Sequence, residues 1–122
     1  MRTAVLLLAL LALAGCGTKK PSAYSRENTA LLATIPVYPG AAAPKTTAGV
    51  SSNTEFGARD WTLPAHSDPE TVVAWYVPRL QRAGWRITGK DLGTIRAARR
   101  SATVVVGVRG RTLEVLANAR GV

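Results

Sequence analysis

A chain of 122 residues has room for one domain and no more. With 47% apolar and 19% charged residues it has the composition of a folded protein, and its single cysteine excludes an internal disulfide framework. The 16 basic residues outweigh 7 acidic ones to leave a formal charge of +9, and from Arg79 onward only Asp91 and Glu114 oppose the arginines. Such a field attracts anions: lipid headgroups, phosphate-bearing envelope polymers, an acidic protein or nucleic acid.

Met1-Arg2-Thr3 is a short positive start, and residues 4–15 form an apolar run that ends at small residues before Cys16. The run falls short of the ~20 apolar residues that a membrane-spanning helix needs, and it fits the hydrophobic region of a secretory signal. Leu13-Ala14-Gly15-Cys16 resembles the lipobox of bacterial lipoproteins. The resemblance implies cleavage before Cys16, a diacylglyceryl thioether on its sulfur and acylation, typically with palmitate, of the new amine. Residues 1–15 are then a signal peptide, 16–24 a lipid-anchored tether and 25–122 a single small domain. Two or three chains at ~0.8 kcal/mol per buried methylene hold a protein on a membrane stably, where one chain is marginal. The expected location is the cell membrane or outer membrane, facing the periplasm or the exterior. Lys19 and Lys20 lie beside the anchor, where each contributes about 1 kcal/mol against an anionic surface.

Residues 25–33 suit a short helix capped by Ser25. Ile35-Pro36-Val37-Tyr38 reads as an edge strand, and Pro39-Gly40 has the chemistry of a type II turn. Residues 41–53 are rich in Ala, Thr, Ser and Gly and read as a loop or weak strand. Residues 55–63 alternate, with Trp61 and Leu63 toward a core, and Pro64 ends that strand.

Ser67-Asp68-Pro69-Glu70 predicts a capping box, with Ser67 as N-cap and Glu70 reaching back, for a helix over about 68–83. Val72, Val73, Tyr76, Val77, Leu80 and Ala83 share its apolar face. Pro78 is expected to kink it, and Gly84 with Trp85 to close it in a Schellman motif. Beyond lie Trp85–Thr88 as a strand, a turn over 89–93, a strand over 94–99 and a turn near Arg100-Ser101. The valine-rich 103–108 predicts the central strand, because it is apolar on both faces. Arg109-Gly110-Arg111 then makes a hairpin into 112–117. These elements predict an α+β fold, an antiparallel sheet with one main helix packed on one face. The spacing of Tyr38-Pro39-Gly40, Ser67-Asp68-Pro69-Glu70 and Leu80-x-x-x-Gly84-Trp85 resembles small bacterial lipoproteins, a likeness that implies a fold and no activity.

Residues for chemistry are few. His66 stands alone without a cysteine or a plausible acidic neighbour, so no metal site is expected. No nucleophile elbow, phosphate loop or dinucleotide fingerprint is present, and no cofactor is expected. Trp75, at the rim of the apolar helix face beside Arg79 and Arg82, is the candidate partner-binding group. Aromatic residues are too sparse for single-stranded nucleic acid, and export argues against a nucleic-acid partner, so none is expected. The expected function is that of a lipid-anchored envelope accessory protein that binds another protein or an anionic envelope component, with no catalysis. The alternatives are an assembly lipoprotein of a larger membrane complex and a small hydrolase, which would bring His66 beside a serine and a carboxylate.

Overall fold

Three two-residue turns join the last four strands into a meander, and the first strand closes the sheet beside the last one. The computed structural model describes residues 22–43 and 57–121. In chain order the elements are α1 (Ala23–Thr34), β1 (Ala58–Thr62), α2 (Pro69–Arg82), β2 (Arg86–Asp91), β3 (Thr94–Arg99), β4 (Ala102–Arg109) and β5 (Thr112–Asn118). They form a five-stranded antiparallel sheet in the order β1-β5-β4-β3-β2, an α+β fold with β4 at its centre. α2 packs on β2, β3 and β4, and α1 packs on β5.

The register sorts the side chains of the sheet into two faces. Trp61, Ile95, Ala97, Val104, Val106, Leu113, Val115 and Ala117 lie beneath the helices and are buried. Leu31, Leu32 and Ile35 meet them from α1, and Val72, Val73, Tyr76 and Leu80 from α2. Each large residue so buried contributes ~1.5–3 kcal/mol, which has to hold a fold without a disulfide. The opposite face carries Asp60, Arg96, Thr103, Val105, Gly107 and Glu114, and no helix of the described residues packs on it.

Several boundaries differ from the sequence expectation, each for a local reason. The cap of α1 is Ser22, whose hydroxyl accepts from the Ser25 N–H at 3.1 Å, and Ser25 itself is buried inside the helix. Ile35–Tyr38 is no edge strand: Pro36 and Pro39 lack donors, Ile35 turns into the core, and the Tyr38 N–H bonds to the Tyr76 hydroxyl at 3.1 Å. The turn that follows is as expected, with Gly40 at φ +80 and the Ala41 N–H on the Tyr38 carbonyl at 3.0 Å.

The cap of α2 is Asp68 rather than Ser67. A residue before proline is driven to extended backbone, which is also the N-cap conformation, and Asp68 has φ −83 and ψ 124. Its carboxylate accepts from both the N–H and the hydroxyl of Thr71, while the Ser67 hydroxyl donates to the Pro64 carbonyl. Glu70 does not reach back; it accepts from the Gly93 N–H at 2.6 Å and so ties α2 to the β2–β3 turn. α2 runs through Pro78 without interruption, and Ala83 is exposed as its C-cap rather than part of the core face. The Schellman closure forms, with the Trp85 N–H on the Leu80 carbonyl, the Gly84 N–H on the Gln81 carbonyl and Gly84 at φ +89. β2 continues to Asp91 through an irregularity between Ile87 and Gly89, so the turn there is only Leu92-Gly93.

Candidate functional site

Cys16 and the Leu13-Ala14-Gly15-Cys16 stretch lie outside the described residues, but the start of the domain does not. Tyr24 accepts a hydrogen bond from Asn118 at 3.0 Å, and Asn28 accepts one from the Ala119 N–H at 2.9 Å. The Glu27 carboxylate meets Arg120 at 2.9 Å, and those hydrogen bonds hold its pKa below the usual carboxylate value. The first turns of α1 are thereby tied to the end of β5. This end of the sheet, called proximal because the described chain begins there, also holds the starts of β2 and β4, the end of β3 and the C-terminus of α2. Ala23 and Tyr24, read from sequence as tether, belong to α1.

Trp75 is half-buried and heavily engaged. Tyr38 and Tyr76 meet it edge-on, with ring centroids at 5.5 and 4.9 Å. The Arg79 guanidinium lies 3.8 Å from its centroid and donates to the Trp75 carbonyl at 2.8 Å. Trp75 and Arg79 thus form one stacked unit over the rim of the core, and Arg82, a turn on, is exposed. The other two tryptophans repeat the arrangement. Arg59 lies 5.3 Å from the Trp61 centroid and Arg99 4.5 Å from that of Trp85, and Arg99 also donates to the Ala83 carbonyl. A guanidinium over an aromatic face is worth ~0.5–2 kcal/mol and spreads over the ring as a compact ammonium cannot. Arg111 is used as well, donating two hydrogen bonds to the Leu63 carbonyl.

Two of the six acidic residues among the described ones are brought close by a pairing across the sheet. Asp60 on β1 and Glu114 on β5 stand directly opposite each other on the uncovered face. They line a concavity of about 550 Å³ whose other walls include Thr94, Val105, Arg109 and Thr112. Leu92, at the tip of the β2–β3 turn, is 90% exposed and leans on its rim. Among the described residues no serine and no histidine lines it. His66 is exposed in the loop before α2 with φ +63. Histidine is one of the few side chains that enter the left-handed region with any frequency, so backbone geometry accounts for it there. Among the described residues no group of three potential metal ligands converges. No helix of the described residues is long and apolar enough to cross a membrane. Finding the Asp60–Glu114 pair from sequence would have needed the contact between the first strand and the last, which no local pattern encodes.

No family model, no curated protein and no solved structure matches this chain.

Proposed function

We propose that this is a lipid-anchored accessory protein of the cell envelope, held at a membrane through Cys16 and acting by binding a partner rather than by transforming a substrate. The observation that carries the reading is the spacing between anchor and fold. Leu13-Ala14-Gly15-Cys16 ends six residues before Ser22, the cap of a helix already tied to the sheet. Six residues span at most ~20 Å, so acylation of Cys16 holds the domain against the bilayer surface. The sheet face that no described helix covers, with its concavity between Asp60, Glu114 and Arg109, leaves room for a partner protein.

The test is fatty-acid labelling and fractionation of the full chain and of Cys16→Ala in a bacterium that processes lipoproteins. Fatty-acid label on the parent that is lost in Cys16→Ala, with membrane recovery of the parent that withstands a high-salt wash, supports the reading. An unlabelled parent, or a Cys16→Ala chain that still takes up the label, refutes it.

A further inference from the structure

We propose that the proximal end of the domain is an electrostatic membrane contact, in which Arg82, Arg86 and Arg100 bind the phosphates of anionic lipid headgroups. The inference rests on the reading of Cys16 as the anchor, and it adds an orientation and a ligand. Arg26, Arg82, Arg86, Arg99, Arg100 and Arg120 gather at this end against Glu27 alone, a net +5. The described residues carry +6 in all, so nearly the whole excess is located here. The distal end balances Lys90, Arg109 and Arg111 against Asp68, Glu70 and Asp91.

The clustering is built by contacts. Arg99 donates to the Ala83 carbonyl, which brings the C-terminus of α2 with Arg82 to the end of β3. Arg86 pairs with Ala98 across β2 and β3. Ser101 meets the Ala119 carbonyl at 3.4 Å, and the next residue, Arg120, meets Glu27 on α1. The β3–β4 turn, the end of β5 and the first turns of α1 therefore form one surface, the surface from which the chain leads back to Lys20, Lys19 and Cys16. Arg82, Arg86 and Arg100 are exposed there, and among the described residues none of them has an ion pair or a side-chain hydrogen bond.

Distance decides which charges matter. β4, with eight residues, places the distal end ~25 Å away, about three Debye lengths at physiological ionic strength. A bilayer within reach of the anchor thus meets the +5 end and not the balanced one. Backbone geometry points the same way. Arg100 has φ +55 at the first position of a two-residue turn, where the next hairpin has Gly110 at φ +58. A side chain is kept at a position that favours glycine, and strain of this kind concentrates at functional sites.

The test uses the full chain carrying Cys16→Ala, which cannot be lipidated, so its outcome is separate from that of the anchor. Partitioning is measured onto vesicles of phosphatidylcholine alone and of phosphatidylcholine with phosphatidylglycerol. The ratio of the two cancels the apolar contribution of residues 1–15. At about fivefold per surface arginine, Arg82→Gln/Arg86→Gln/Arg100→Gln lowers the ratio about a hundredfold, and Arg100→Gln alone about fivefold. Lys90→Gln/Arg109→Gln, at the distal end, leaves it unchanged, and added salt erases the preference. The proposal is overturned if the triple variant, folded by its tryptophan circular dichroism, keeps the parent ratio, or if the distal pair costs as much. It is equally overturned if the parent ignores phosphatidylglycerol while binding a soluble polyanion, which would point to a polymer or acidic protein instead.

Discussion

Tyr76 gives the sharpest quantitative test of the core. Its ring is fully buried between α2 and the sheet, and its hydroxyl accepts the Tyr38 N–H at 3.1 Å. Burial pushes the phenol up to about 12 from 10.0, against a smaller lowering by the bond from Tyr38. Tyr76→Phe keeps the ring and removes the acceptor. At neutral pH it leaves the half-buried Tyr38 N–H without its partner, at a cost of ~1–2 kcal/mol.

The alkaline limb separates this residue from every other contribution. A phenol whose folded pKa lies above its unfolded value contributes stability that is complete below the unfolded pKa, near 10. That stability is lost as pH rises through the folded value near 12. The loss runs at ~1.4 kcal/mol per pH unit and totals about 3 kcal/mol. The parent should therefore begin as the more stable protein, fall toward Tyr76→Phe above pH 10 and cross it near pH ~11. Urea unfolding of both proteins in one-unit steps from about pH 9 to about pH 12 reads the crossing directly. Two curves that stay parallel over that range would refute the burial of the phenol, and two that coincide at about pH 9 would refute its bond to Tyr38.

Four further substitutions probe the turns and caps. Gly57→Ala should cost at least ~3 kcal/mol in denaturant midpoint, because φ is +71 and the new Cβ would lie 1.8 Å from the Ala117 carbonyl oxygen. Asp68→Ala should cost ~1 kcal/mol and Ser67→Ala less than ~0.5, since only Asp68 caps α2; the reverse order in thermal melts would restore Ser67 as the cap. Arg100→Gly should raise stability by roughly 0.5–1 kcal/mol through relief of the left-handed backbone, while weakening binding to anionic vesicles; a stabilised protein that binds as the parent does would leave the strain unconnected to the membrane.

What could be read from sequence follows the range of the interactions. The Schellman closure at Gly84-Trp85, the turn at Pro39-Gly40 and the span of β3 are set by residues within a few positions of one another, and each stands where its pattern places it. β4 was legible as the central strand because a valine run apolar on both faces belongs between neighbours. The choice of cap at α2 was harder. Ser67 and Asp68 both have cap chemistry, and the deciding factor was the backbone restriction that Pro69 imposes on Asp68. Partners that lie far apart in sequence were not legible. Glu70 fits a capping box until the β2–β3 turn presents the Gly93 N–H, and Asp60 faces Glu114 only because β1 joins the far edge of the meander. The candidate site divides along the same line. Trp75 and Arg79 are one helical turn apart and could be paired from spacing alone, whereas the gathering of Arg82, Arg86 and Arg100 depends on how three elements end together.

The charge count conceals two different uses of arginine. Arg59, Arg79, Arg99 and Arg120 lie over the rings of Trp61, Trp75, Trp85 and Tyr24, and Arg111 is spent on the Leu63 carbonyl. Planar guanidinium groups suit that work, which gives a structural reason why Lys90 is the one lysine among the described residues. These arginines keep their charge but are fixed as lids on aromatic side chains, so they offer a ligand little freedom to adapt. Arg82, Arg86 and Arg100 have no such work, and they stand at the end of the domain where the described chain begins, whereas Arg109 is the one arginine equally uncommitted at the opposite end. Three uncommitted arginines against one, with Arg100 held there against its backbone preference, is the asymmetry on which the proposed membrane contact rests.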